Sequence, residues 1–262
     1  MNPLNSIDTS IICLLYTLCR NILNIKPRIL FNININNVKI LVTKHPCFYN
    51  NKIKKFSIEA YKSNSDKKII QIGQQLRKVT SIYRIKTNMK KLWLPGTKNI
   101  FMMQRLFTYE KSYLGMYNIL FNKVDIKYHD NYDDYDNVFI NNIIFIDLFN
   151  ASANNTILEC IMRNTPILVN KIEPVTEYLG VDYPFYFTNL EEIPDLLNDT
   201  NIEKTYNYLK NMDKSQFTIE YFINDIVNGI NMYNLSNITS TDILHDDRCN
   251  INNKLVVSNT SQ

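Results

Sequence analysis

Apolar residues in this chain follow two alternating rhythms. Short β-rich runs at Lys67–Gly73 (KKIIQIG), Lys91–Leu94 (KLWL), Ile143–Phe149 (IIFIDLF) and from Ile167 to Val169 are of the kind buried on both faces of a parallel sheet. Val38–Thr43, Val124–Tyr128 and Tyr183–Phe187 read as further strands. Between these runs the period changes to that of a helix. In Ile100–Phe121, residues Phe101, Met102, Leu106, Phe107, Tyr113, Leu114, Tyr117 and Leu120 recur at three- and four-residue steps. Phe56–Tyr61, Tyr132–Ile140 and the stretch around Ile157, Leu158, Ile161 and Met162 are shorter helices, and Pro166 stops the last of them. A strand, a helix of this length and another strand make a right-handed βαβ unit. After the strands come amphipathic helices at Leu190–Leu197, Ile202–Met212 and Glu220–Tyr233, the last with Tyr221, Phe222, Ile226, Val227 and Ile230 as its apolar positions.

The pattern predicts an α/β protein with a single Rossmann-like parallel sheet flanked by helices, over residues 38–233. A helical extension precedes it at 1–37. There Ile11–Cys19 is a largely apolar run, too short to span a bilayer, that reads as a core-packing helix or a membrane-surface anchor. Pro27 and the Asn-rich segment Asn32–Asn37 mark the boundary. From 234 to 262 the chain is rich in Ser, Thr and Asn and reads as a flexible tail.

Composition adds limits. With 45% hydrophobic and 12% aromatic residues, the chain can bury a substantial core. The abundance of Asn, Ile, Lys and Tyr is what A/T-rich codons produce, so Asn-rich turns carry less weight than usual. A net charge of +4 is too mild to imply nucleic acid. Residues 52–91 are locally basic, with twelve Lys and Arg against two acids, and aromatic side chains lie among them. That stretch supports a rival reading as a polyanion-binding surface. No recognised nucleic-acid module accompanies it. The five dispersed cysteines show no metal or redox spacing and suggest reduced thiols in the cytoplasm. No charged leader or membrane-length run is found in the sequence.

Candidate chemistry concentrates after Phe149. Ser152, Asn154, Asn155 and Thr156 form a polar turn between a strand and a helix, where backbone N–H groups and short polar side chains meet phosphates or sugars. Glu159 lies one turn further on. The turn Ala153–Thr156 (Ala-Asn-Asn-Thr), Glu159 and Glu177–Gly180 (Glu-Tyr-Leu-Gly) together resemble the C-terminal, nucleotide-sugar-binding domain of GT-B glycosyltransferases, in a subgroup that carries these segments. The resemblance runs from about Lys39 to Phe187.

The resemblance implies a protein that binds a nucleotide-diphospho-sugar donor, holds no tight cofactor, and transfers the sugar to a hydroxyl of a glycan or other acceptor. It makes Gly73, with Arg77 and Lys78 behind it, the phosphate corner: Gly lets the backbone approach and the cations stabilise the leaving diphosphate. It makes Glu159 a partner of the ribose hydroxyls. Two other readings of Glu159 stay open, a capping box with Thr156 and an ordinary exposed acid. Glu177 is either a second acidic contact or a helix cap. His45, at the end of a strand leading into Pro46, is the one catalytic candidate, and a loop residue otherwise. Asp134-Tyr135-Asp136 fits the Asp-x-Asp pattern by which another class, GT-A, holds a metal; the same acids also suit the start of helix Tyr132–Ile140. One departure stands out: the family often carries a second Glu eight positions before Glu159, where this chain has Ala151. A full GT-B enzyme closes two domains around its substrates. Residues 1–37 are too few for the second, so a partner chain or a second copy is expected to supply it, or the chain is a degenerate, non-catalytic relative.

Overall fold

The computed structural model describes residues 43–47, 53–114, 123–128, 132–151 and 154–232. The extension 1–37, residues 38–42 of the first expected strand, Ser152 and the tail 234–262 lie outside them.

One six-stranded sheet organises the molecule, built from β1 (Lys68–Ile72), β2 (Lys90–Leu94), β3 (Asp125–Ile126), β4 (Ile143–Ile146), β5 (Ile167–Asn170) and β6 (Tyr186–Phe187). Every pairing is parallel, in the order β3-β2-β1-β4-β5-β6. The chain steps outward from β1 to β3, then crosses back to lay β4 on the other side of β1. This leaves a crevice past the carboxyl ends of β1 and β4, where open α/β sheets bind ligands.

The apolar runs do what their composition suggests. Ile143, Ile144, Phe145 and Ile146 of β4 and Ile167, Leu168 and Val169 of β5 are completely buried. Helices cover both faces: α1 (Ile58–Ser63), α2 (Ser81–Arg84), α3 (Ile100–Leu114), α4 (Tyr132–Ile140), α5 (Asn155–Arg163), α6 (Glu173–Leu179), α7 (Ile193–Leu196), α8 (Asp199–Asn211) and α9 (Ile219–Met232). Trp93 of β2 anchors one side of the core, edge-on to Tyr83 and Phe107.

Several expectations are corrected. IIFIDLF stops being a strand at Asp147, because Leu148 forms an antiparallel bridge to Arg77 and the Asn170 amide takes over pairing with the Leu148 N–H and carbonyl. Val124–Tyr128 contracts to two exposed residues at the sheet edge. Tyr183 is not in β6; its hydroxyl instead donates to the Ile167 carbonyl and accepts from the Ile167 N–H. Leu190–Leu197 splits into a 3₁₀ turn and α7, which starts afresh at Ile193 with Pro194 in its first turn. Helix α2 is four residues long and too short to leave a periodic signature. Along α9, Tyr221 and Val227 are 43% and 44% exposed, so the apolar positions read from the sequence do not all face the core. Among the described residues, no helix is long and apolar enough to cross a membrane.

Candidate functional site

The corner after β1 is fixed from three sides. Gly73 sits at φ +75°, in the left-handed region open to glycine. Its N–H donates to the Leu94 carbonyl and its own carbonyl accepts from the Trp93 indole at 2.9 Å. Gln74 accepts the Gly96 N–H through its side chain. Leu76 has φ +58° and is 44% exposed, a conformation that costs a non-glycine residue about 1–2 kcal/mol. The Leu76 carbonyl accepts the Phe149 N–H at 3.0 Å, and the Lys78 N–H donates to the Asp147 carbonyl at 2.7 Å. The corner is therefore sewn to the end of β4.

The two adjacent cations go different ways. Lys78 pairs with Asp147 at 2.8 Å, and the same carboxylate accepts from the Ser81 hydroxyl at 2.7 Å. Asp147 is 4% exposed, so this is a buried, satisfied acid. Arg77 turns toward α5. Its Nη2 donates to Thr156 Oγ1 and its Nη1 to the Gln75 carbonyl, both at 2.8 Å. Arg77 Nε is shielded from solvent and has no hydrogen-bond partner among the described residues. Burial lowers the guanidinium to about 10, against the favourable influence of Tyr135 and Glu159, and it stays charged at neutral pH. A Cβ at Gly73 would lie 3.1 Å from the guanidinium carbon, so the glycine also makes room for this fold of the arginine.

Helix α5 opens with Asn154, which is buried and accepts the Ile157 N–H as N-cap. Thr156 accordingly does not start the helix. The Thr156–Glu159 capping box is absent, and the Thr156 hydroxyl is available to Arg77. Glu159 is not an ordinary surface acid either: its Oε2 accepts from the Tyr135 hydroxyl at 2.7 Å. Desolvation is the main influence on this carboxyl and raises it above the usual glutamate range, offset in part by Tyr135, Arg163 and Arg77. The effect spreads to Cys47, whose thiol is pushed up to about 11 by burial first and by Glu159 second. Asn155 is exposed at the first turn.

Beside this cluster, at the ends of β1 and β2, a cavity of about 300 Å³ opens. Ile72, Leu94, Pro95 and Tyr135 supply apolar wall, Gly73 and Gly96 supply accessible backbone, and Thr97, Lys98 and Tyr128 border it. Lys98 lies over the Tyr128 ring at 5.9 Å. A larger hollow of about 520 Å³ runs along one face of α3, but a single helix lines it, so polar groups do not converge there from several elements.

The remaining candidates fall elsewhere. Asp136 pairs with Arg163 at 2.6 Å, and the Asp134 side chain lies outside the described part. Among the described residues, no group of three or more His, Cys, Asp and Glu side chains could hold a metal ion. Glu177 is exposed on the last turn of α6 rather than at its start, so it is no N-terminal cap; its carbonyl accepts from Lys44. That contact lays the segment carrying His45 against α6. The buried His45 Nδ1 has no partner among the described residues, and burial lowers the imidazole pKa. The basic stretch is partly paired, at the surface and in the core. Lys62 pairs with Glu203, Lys68 and Lys90 share Asp66, and buried Lys91 donates to the carbonyls of Tyr83 and Ile85.

Sequence reasoning misses the parts played by Tyr135 and Asp147. Asp147 does leave a signal, a lone acid inside a run otherwise buried on both faces, which demands a partner. Tyr135 leaves none beyond its place between two aspartates.

No protein-family model matches the sequence, and no curated protein matches it. Solved structures do. Sucrose-phosphate synthase from Thermosynechococcus elongatus superposes with a TM-score of 0.50 at 10% identity, over 76% of this chain and 52% of that one. A point mutant of the O-GlcNAc transferase of Thermobaculum terrenum gives 0.50 at 10%, over 74% and 40%. Anabaena HepE in complex with UDP-glucose gives 0.48 at 11%, over 77% and 59%. The chain thus spans between two fifths and three fifths of the length of these structures. Its fold is the one found in part of the sucrose-phosphate synthase and O-GlcNAc transferase structures.

Proposed function

We propose that this chain binds a nucleoside-diphospho-sugar past the ends of β1 and β4 and supplies the donor side of a glycosyl transfer to a hydroxyl acceptor. One observation carries the reading. Arg77 after β1, Tyr135 of α4, and Thr156 and Glu159 of α5 converge beside a cavity at the carboxyl ends of β1 and β2.

In this reading the cavity takes the nucleoside, and Glu159 accepts from ribose hydroxyls. Arg77 and the first turn of α5, with Asn155 and Thr156, face the diphosphate. Transfer breaks the bond between the anomeric carbon and the diphosphate oxygen and forms one to the acceptor oxygen, whose proton leaves to a base. Negative charge grows on the diphosphate, and the Arg77 guanidinium beside α5 stabilises that charge. Lys78 holds the corner through Asp147, which takes up its charge. The acceptor side belongs to a further domain, a partner chain or a second copy. No metal or tightly bound cofactor is required. The polyanion-binding alternative keeps exposed cations such as Lys62 and Lys90, whereas Lys91 is buried and Lys78 is paired with buried Asp147.

Thermal unfolding with UDP-, GDP- and ADP-sugars and the free diphosphates tests this. A ligand at about 100 times its Kd adds roughly 2.7 kcal/mol and raises Tm by several degrees. The expected result is a shift with one nucleotide series, lost in Arg77→Ala and Glu159→Ala. A folded sample unmoved by the whole panel would sink the reading.

A further inference from the structure

The Glu159 carboxylate does not stand open to the cavity. A phenol has one hydrogen to give, and Tyr135 gives it to Glu159 Oε2 at 2.7 Å. The same side chain packs edge-on to Phe139 at 5.2 Å and forms part of the cavity wall. Helix α4 is latched to α5 a second time one residue on, where Asp136 meets Arg163. Glu159 and Arg163 are one turn apart on α5, so two adjacent residues of α4 close on one face of it. Tyr135 thus stands between the cavity and the acid.

We propose that Tyr135 is a displaceable plug that sets the specificity of the site: a vicinal diol reaches Glu159 by taking over the hydrogen bond that the phenol makes. The inference rests on the nucleotide reading above and adds a residue and a selection rule to it. The chemistry is an exchange. A diol such as that of ribose brings two donors to the carboxylate and displaces one, a net gain. A sugar with one hydroxyl at that edge only breaks even. A sugar with none cannot compete, leaves the phenol in place, and binds through its base and phosphates alone. The plug therefore weakens every hydroxyl-dependent ligand by the bond it has to give up. It also keeps the buried carboxylate satisfied while the site is empty, which a bare cavity would not do.

The experiment compares wild type with Tyr135→Phe, which removes the hydroxyl and keeps the ring. Titration calorimetry is run with UDP, GDP and ADP and with their 2′,3′-dideoxy counterparts, and urea unfolding of each protein without ligand confirms that it is folded. The expected result is that Tyr135→Phe binds the ribonucleotide about tenfold tighter, the worth of one hydrogen bond to a charged group, and the dideoxynucleotide within twofold of wild type. Ribonucleotide binding by Tyr135→Phe alone, with wild type silent, overturns the plug as a displaceable group, since the ribose diol would then have failed to take the phenol's place. A ribonucleotide that binds wild type and binds Tyr135→Phe equally or more weakly overturns the plug and leaves the nucleotide reading standing. Equal tightening of the ribo and dideoxy forms overturns it too, since the gain would not come through Glu159. Silence of both folded proteins toward all six ligands overturns the plug and the nucleotide reading together.

Discussion

Two corners of this molecule carry the two halves of one sequence resemblance, and they are built for different purposes. The corner that joins β4 to α5 gathers polar chemistry: Asn154 caps the helix, Thr156 receives Arg77, and Glu159 is held by Tyr135. The corner after α6 is packed by tyrosines. Gly180 has φ +81°, and a Cβ there would stand 2.6 Å from the Tyr208 hydroxyl. That hydroxyl donates to the Leu179 carbonyl, and Tyr186 donates to the carbonyl of Gly180 itself. Glu177, the acid of the second corner, is exposed. Equal legibility as motif does not mean equal chemistry; one corner gathers polar side chains and the other is a joint.

The sharpest way to break this contrast is Gly180→Ala. The new methyl must expel the Tyr208 hydroxyl and hold a positive φ, at a cost of about 2–4 kcal/mol in stability. Denaturant unfolding should show that loss, with ligand affinity unchanged in the protein that remains folded. Gly73→Ala is its mirror image. Its neighbour at 3.1 Å is the flexible end of Arg77, so stability should fall by only about 1–2 kcal/mol. Displacing the guanidinium should cost nucleotide affinity at least as much, read by calorimetry.

A pH series sharpens the comparison further. Burial raises the Glu159 carboxyl, so its charge disappears on acidification before that of an ordinary glutamate. Ribonucleotide affinity should therefore fall as pH drops toward the usual glutamate range from above, by up to about tenfold, and the fall should be absent in Glu159→Gln. Stability carries the opposite sign. Above the unfolded glutamate pKa the native state binds more protons at this group than the unfolded chain does, so raising pH through that window costs native stability. Glu159→Gln should flatten this slope in urea unfolding. The smallest effect belongs to Glu177→Ala: its side chain is exposed, and stability should move by less than about 0.5 kcal/mol with affinity within twofold.

The sheet is legible in the sequence because its central strands are buried on both faces and need no alternation. The extents of KKIIQIG and KLWL shift by no more than a residue or two, and helix Tyr132–Ile140 matches its expected bounds. What fails is local and polar. No periodicity announces that Asn170 will finish β4 with its side chain, or that Pro194 will divide a helix. At the site, Arg77 and Thr156 each stand out as candidates, but their contact spans 79 positions in sequence and is a product of the strand order. Asn154 rather than Thr156 as the cap follows from backbone angles that composition does not reveal. Tyr135 is hidden by its neighbours, since an aromatic between two aspartates reads as part of an acidic helix start.

The strand order also has a kinetic face. β4, α5 and β5 are consecutive, and their pairing closes only a short loop. β1, at the centre, meets β4 across most of the intervening chain, from Ile69 to Ile143. Loop-closure entropy delays such distant pairings. The β1–β2 and β4–β5 pairs are both local by this measure, and the crevice where β1 meets β4 is the part whose pairing closes the long loop and so comes late.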